Sequence, residues 1–500
     1  MKAKYMIVFL VAFFLVTGLT VIWKNFLESE TLYLAVAGPM AKRNGDAMVQ
    51  GVQLYLDKVN RDGGINGKQI KLLQFYDNNQ ADLAKKRALE IVNSKALAVI
   101  GHYTSDASIA AAPIYQKHGV PAITGTATAN KLTVDNDWYF RTIFTNRGQA
   151  ALLANYATKI LDLKVKEAYV VFDEDAYGTT LAEAFTETAK RIRLKVKHQW
   201  SFNAKDKASF KNSLSKMIDT LAEKGEYGVL FLATHSTEAV KIVTRLRRLE
   251  RKVPIMGADA LASSNFMRTF KHDYPQEKNY PGYYTDGIYL TSPFIIDIAG
   301  KHAQDFKHEF INEKKYPTES LITAAMYYEA AMVAVRAIKN IAEPGTTTTT
   351  VAEKRTQVKK NLWQLRFVDQ AVEGVTGAIY FDRNGDAIKP IPMGVYKKGK
   401  PIVTWIQYQP VTQLSRVDNL LQEILDNKII QVNERFMRKA QVVYAGLDFN
   451  DIRDLDTANA TYMAELQKRQ SKRRNKGSSV KSVSVSSNHC IPRHGIASQV

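Results

Sequence analysis

Residues 96–130 read ALAVIGHYTSDASIAAAPIYQKHGVPAITGTATAN, and the order of residue types in this stretch decides the fold. Residues 96–101 are a short apolar run of strand length, 107–117 have the alanine-rich composition of a helix, and 120–125 are a second apolar run. Two strands separated by a helix pair in parallel, because a parallel pair needs a crossover between its members. Both strands run into small polar residues, Gly101-His102-Tyr103-Thr104-Ser105-Asp106 after the first and Thr124 to Asn130 after the second. The carboxyl edge of an open parallel sheet is where such folds place ligands. Free N–H groups at the start of the helix favour an anion, and a carboxylate fits there beside the hydroxyls of Thr104 and Ser105. The same hydroxyls also suit capping of their own helix, and the residues alone leave both readings open.

The alternation continues on either side. Residues 32–37 read as a strand; Met48, Val52, Tyr55, Leu56 and Val59 then fall on one helical face, which Gly63-Gly64 ends. Asn66-Gly67 signals a tight turn into a strand at 69–76, followed by a helix at 81–94. Strand and helix alternate again through 169–173, 181–192, 228–232 and 237–250. The pattern predicts an α/β chain with two parallel sheets flanked by helices. Glu343-Pro344-Gly345 with the threonines after it marks a surface loop. Residues 381–386 have the look of a calcium loop but lack its closing acid, so a β-turn is expected. Beyond residue 411 the character changes: an amphipathic helix or linker at 417–430, a short strand at 442–445, and a basic, serine-rich stretch at 467–500.

Residues 6–23 are apolar or weakly polar throughout, follow Lys2 and Lys4, and are long enough to span a bilayer. No small-x-small cleavage pattern and no lipid-accepting cysteine follow, so an uncleaved N-terminal anchor with the remaining chain extracytoplasmic is expected. The formal charge is +20, but eight basic residues without an acid lie beyond Leu466, leaving +12 for the rest. The single cysteine, Cys490, excludes a disulfide framework and a cysteine-built metal site. No Gly-x-Ser-x-Gly elbow, phosphate-binding Gly-Lys-Ser/Thr loop or His-Glu-x-x-His pair occurs. No enzyme activity, cofactor or metal is therefore expected. The basic run of Lys241, Arg245, Arg247, Arg248, Arg251 and Lys252 reads as a solvated helix face, and no nucleic acid partner is expected.

Several motifs occur in order: Asp62-Gly63-Gly64-Ile65-Asn66-Gly67, Val99-Ile100-Gly101-His102, Ala112-Pro113-Ile114-Tyr115, Gly119-Val120-Pro121-Ala122-Ile123, Phe140-Arg141-Thr142, Asp175-Ala176-Tyr177-Gly178 and Met256-Gly257-Ala258-Asp259. Together they resemble the leucine/isoleucine/valine-binding protein family over residues 31–410. The resemblance implies a two-lobed type I periplasmic-binding fold with the ligand in the cleft. It implies lobe 1 at 31–146 and 292–387, and lobe 2 at 147–291 and 388–411. The anchor would occupy 1–30, a linker helix and partial β segment 412–465, and a basic tail 466–500.

By position the resemblance points to Ser105, Thr126 and Thr128, with Tyr103 in the same turn, for the ligand's α-carboxylate and α-ammonium. It sets Tyr177 against the ligand from lobe 2, and Asp259 at the family's acidic position for the ammonium. Asn44 and His235 stand where some members carry aromatic side chains, which favours a more polar ligand side chain or an amide over a branched aliphatic one. For three of these the plainer alternatives are packing for Tyr177, a satisfied histidine for His235 and a helix cap for Asp259. The implied function is capture of an amino acid or related amide by hinge closure, as the substrate-binding component of an ABC-type amino-acid transporter with a permease partner. A ligand-sensing receptor ectodomain signalling to a membrane partner is the alternative. Residues 442–462 also resemble, over a short span, the opening of the extracellular domain of neurotransmitter-gated ion channels.

Overall fold

The computed structural model describes residues 31–469, apart from 41–42, 162, 164–165, 224–227, 250–252, 342–349, 412, 433–434, 443–445 and 457–460, together with 483–486. The apolar run expected as an anchor, and most of the basic tail, lie outside these residues. The chain divides into two units, 1–440 and 441–500.

In the first unit β1 (Leu32–Gly38), β2 (Ile70–Tyr76), β3 (Val99–Gly101), β4 (Ala122–Thr124) and β5 (Tyr139–Arg141) form a parallel sheet in the order β2-β1-β3-β4-β5. The strands are apolar at successive positions because both faces are covered. In β1, Leu34 and Val36 join one core, and Ala35 and Ala37 join a second with Ala88, Ala111 and Tyr115. Each such aliphatic side chain of valine or leucine size contributes roughly 1.5–3 kcal/mol by leaving water, so a charge at Val36 would break the sheet's attachment to its helices. One covering layer is helix Arg43–Arg61 packed along helix Leu321–Lys339. Gly51 permits the approach, since a Cβ there would sit 2.2 Å from the Ala324 carbonyl oxygen. Tyr55 meets Tyr328 edge-on, with ring centroids 5.0 Å apart. Residues Thr318–Lys339 are apolar and long enough to cross a bilayer, but their apolarity is explained by burial within the protein.

A second sheet is built from β6 (Glu167–Asp173), β7 (Lys195–Phe202), β8 (Val229–Ala233), β9 (Ile255–Gly257) and β10 (Tyr289–Thr291), all parallel. The chain then returns to the first sheet through helix Leu321–Lys339 and the hairpin of β11 (Val372–Gly374) and β12 (Gly377–Ile379). Residues 381–386 form the expected turn: Asn384 N–H donates to Asp382 Oδ1 and Gly385 N–H to the Asp382 carbonyl. Asp386 points inward and accepts from Arg141 Nε and Thr133 Oγ1, which fastens this turn to β5. The chain crosses once more to add β13 (Met393–Lys397) and β14 (Lys400–Val403), giving the order β14-β13-β10-β9-β8-β6-β7. These last two strands are antiparallel, as their two-residue connection requires; Lys398 and Gly399 have φ of 52° and 70°. Three passages of the chain therefore join the two sheets.

The stretch after residue 403 departs from expectation. β15 (Ile406–Pro410), β16 (Ile429–Val432) and β17 (Arg435–Gln441) form a small sheet, and of the amphipathic helix or linker expected at 417–430 only Leu420–Leu425 is helical. Val442 lies outside any strand, and the rest of the strand expected at 442–445 falls on undescribed residues. In the second unit β18 (Gly446–Asp456), β19 (Thr461–Arg469) and β20 (Val483–Ser486) pair antiparallel, over part of the expected partial β segment and into the stretch expected as a tail. Register shifts between Phe449 and Asp451 and between Arg453 and Asp456 interrupt the two-residue period by which strands are read from sequence.

Candidate ligand-binding cleft

The carboxyl ends of both sheets open onto one cavity of about 1210 Å³, lined from the first lobe by Tyr103, Thr104, Ser105, Asp106 and Thr126 and from the second by Asp175, Tyr177, His235 and Asp259. On the first-lobe side, helix Ser105–His118 starts immediately past β3, and Thr104 caps it by accepting from Ala107 N–H at 3.4 Å. The capping reading therefore holds for Thr104. Ser105 lies one residue on, and its hydroxyl accepts from Ala129 N–H at 3.2 Å, tying the β3 turn to the β4 turn. Thr126 makes the reverse tie, donating to the Tyr103 carbonyl at 2.6 Å and meeting the Tyr327 hydroxyl at 2.6 Å. Tyr103 stacks on Tyr327 with ring planes 15° apart. Below the turn, His102 is fully buried between Asp77 and Tyr115, and its carbonyl accepts from Thr124 Oγ1 at 2.9 Å.

The second-lobe side is organised by Gln149, a fully buried amide in helix Asn146–Lys159. Its Nε2 donates to Asp259 Oδ1 at 2.8 Å, and its Oε1 accepts from Asp259 N–H at 3.1 Å and Thr291 Oγ1 at 2.7 Å. Tyr177, in the first turn of helix Ala176–Arg191, donates its phenol to the same Asp259 Oδ1 at 2.8 Å and accepts from Ala260 N–H. Asp259 is thus not a helix cap, because its side chain is fixed by the two lobe-2 donors. Burial pushes its carboxyl up despite the lowering effect of those donors, and a cation placed beside it would favour its charged form. Tyr177 also stacks face to face on His235, 4.8 Å between centroids.

His235 Nε2 lies 2.6 Å from Asp175 Oδ2, while Asp175 Oδ1 caps helix Ala176–Arg191 by accepting from Gly178 N–H. Burial alone lowers the imidazole, but the hydrogen bond to Asp175 and its charge, with Asp173 and Glu238 behind it, outweigh burial and push it up to about 9. The two lobes touch directly here: Asp106 Oδ1 accepts from Ala176 N–H at 3.0 Å.

Of the residues expected from sequence, Tyr103, Ser105, Thr126, Tyr177, His235 and Asp259 come together on this cavity. Thr128 corrects the expectation. It is fully buried and does not line the cavity, its carbonyl accepts from Asn146 N–H, and among the described residues its hydroxyl has no partner. The side chain of Asn44 lies outside the described residues. Gln149, Asp175 and Asp106 were not expected. A lone glutamine among the alanines and leucines of 146–159, and an aspartate three residues before Gly178, were the available signals.

The sequence pattern of the family described as periplasmic binding protein matches residues 32–400. An amino acid binding protein of Pseudomonas aeruginosa is 27% identical over 241 residues, 47% of this chain and 62% of that protein. The leucine-, isoleucine-, valine-, threonine- and alanine-binding protein of the same organism is 26% identical over 242 residues, 48% of this chain and 63% of that protein. The matched stretch thus spans about three-fifths of the length of these curated relatives. A branched-chain amino acid transporter substrate-binding protein from Streptococcus pneumoniae, solved with isoleucine, superposes with a TM-score of 0.62 at 26% identity, covering 75% of this chain and 99% of that one. With the two parallel sheets, the shared cleft and a family match across most of its length, the chain belongs to the periplasmic binding proteins, in the type I group of leucine/isoleucine/valine-binding proteins.

Proposed function

We propose that the protein captures an amino acid or related amide by closing its two lobes, and that it serves as the substrate-binding component of an ABC-type amino-acid importer. Family membership implies an extracytoplasmic location, and tethering through residues 6–23 is part of the proposal. The observation that carries the reading is the placement of Asp259, held by Gln149 and Tyr177, on the same cavity as the hydroxyl-bearing turns of the opposite lobe. A zwitterion matches this pair of walls. Its carboxylate suits the N-terminus of helix Ser105–His118 with the Ser105 hydroxyl, beside Thr126, whose own proton goes to the Tyr103 carbonyl, and its ammonium suits Asp259. Thr128 is left out of the proposed contact set.

A ligand that bridges both walls binds the closed form better than the open one, so it shifts the population toward closure without any covalent step. The relatives' named ligands, branched-chain and small amino acids, support the class. One observation favours the alternative, a ligand-sensing ectodomain: the chain continues past the family's span into a second unit, residues 441–500.

A thermal-shift and calorimetric screen of amino acids and short amides against the full chain, with small-angle scattering of the free and bound forms, tests the proposal. Saturable binding by at least one α-amino acid with a smaller radius of gyration in the bound form is expected. No binding across the whole panel sinks it. Transport of the ligand in vesicles carrying a permease and ATPase separates importer from sensor.

A further inference from the structure

The chain carries a formal charge of +20, yet the cleft wall reverses that sign. At the exposed rim Glu174 and Glu183 balance Lys131 and Lys205. Inside, Asp106, Asp173, Asp175 and Asp259 face one basic group, His235. Three of these four carboxylates have a clear structural counterpart. Asp259 takes two donors from its own lobe, Asp175 has His235 and the start of its helix, and Asp106 has the Ala176 N–H.

Asp173 differs. It is the last residue of β6, only 4% exposed, and among the described residues its hydrogen-bond donor is a single backbone group, Ala204 N–H at 3.1 Å. Burial first, and then the charge of Asp175, push its carboxyl up to about 6. A carboxylate so enclosed and so poorly paired is costly unless a cation reaches it. One carboxylate oxygen each from Asp173 and Asp175 and one nitrogen of His235 lie within 4.8 Å of one another, on the same cavity as Asp259. With both carboxylates ionised the trio keeps a net negative charge even with the imidazole protonated.

We propose that the ligand brings two positive charges: an α-amino acid with a cationic side chain, its α-ammonium at Asp259 and its terminal nitrogen at Asp173 and Asp175. This rests on the zwitterion reading of the cleft and adds the side-chain class to it. Low-dielectric walls of one sign also focus the field, so a cationic ligand is drawn in faster than a neutral one of the same shape, and more so at low salt.

The experiment is calorimetry on the full chain with lysine, arginine, leucine and norleucine, the last matching lysine in chain length without its terminal nitrogen. Lysine or arginine is expected to bind at least about tenfold more tightly than norleucine, as one charge-assisted contact allows. Asp173→Asn and, as an independent variant, Asp175→Asn are expected to bring the lysine-to-norleucine ratio toward one. Norleucine or leucine binding as tightly as lysine to the unaltered chain overturns the cationic-ligand inference while leaving the zwitterion cleft intact. Binding of no amino acid at all overturns the cleft reading itself. A stabilisation by calcium or zinc that Asp173→Asn abolishes, with no preference for lysine, overturns the inference in favour of a metal at the trio.

Discussion

The phenol of Tyr177 and the amide of Gln149 converge on a single oxygen of Asp259, Oδ1, each at 2.8 Å. The carboxylate is therefore oriented before any ligand arrives, and orientation in advance lowers the entropic cost of binding. Tyr177→Phe removes one of the two donors while keeping the ring that stacks on His235. Affinity for the amino-acid ligand is expected to fall about tenfold, the effect of one hydrogen bond to a charged group, with a modest drop in melting temperature because the Ala260 N–H also loses its acceptor. Calorimetry giving unchanged affinity would detach Tyr177 from the site.

Gln149 has a different consequence. Gln149→Leu leaves the Asp259 N–H and the Thr291 hydroxyl without their acceptor in a buried setting. Each such group costs about 1–3 kcal/mol, so urea unfolding is expected to show a loss of about 2–4 kcal/mol together with weakened binding. A variant as stable as the parent contradicts the hub role.

Asp106 links the two lobes directly at the cleft. Asp106→Ala removes its bond to the Ala176 N–H, which is expected to shift the ligand-free equilibrium about fivefold toward the open form, for a net contribution of about 1 kcal/mol. Scattering from the free chain should show the larger radius. The apparent affinity should fall by the same factor, because the competent state is less populated. An unchanged scattering profile contradicts the link.

The Asp175 and His235 pair sets a pH window. The imidazole is raised from its ordinary 6.5 to about 9 in the folded chain. Its stabilisation is therefore complete below about 6.5 and is lost as pH rises through about 9. The side chain is about a third exposed, 35%, so the effect is modest. Melting temperatures of the parent and of His235→Gln should differ most near pH 6 and converge by about pH 10. A constant gap across that range shows that the pair carries no linked proton.

The parts of this structure legible in the sequence are those where a local pattern and a tertiary need coincide. The apolar runs at β1, β3, β4 and β8 are buried on both faces, so composition alone marks them, and Asn66-Gly67 takes positive φ at both residues as its turn signal requires. Ser105 and Thr126 were visible as polar strand ends, and Tyr177 and Asp259 through a resemblance. Thr128 misled because a hydroxyl at a strand end looks the same whether it faces the cleft or, as here, is buried behind it. Gln149 was hidden because its partners, Asp259 and Thr291, are distant in sequence. The small sheet of β15, β16 and β17 was missed where short strands are separated by turn and helix residues that blur any period.

The central claim, an ammonium opposite Asp259 with the carboxylate on the other lobe, is tested most directly by calorimetry of the parent and Asp259→Asn with an α-amino acid and its desamino analogue. The asparagine keeps the shape but not the charge. A loss of about 10- to 100-fold for the amino acid, as expected of a desolvated charge pair, with only a small change for the desamino analogue, is the result this account requires. Equal losses for the two ligands contradict it.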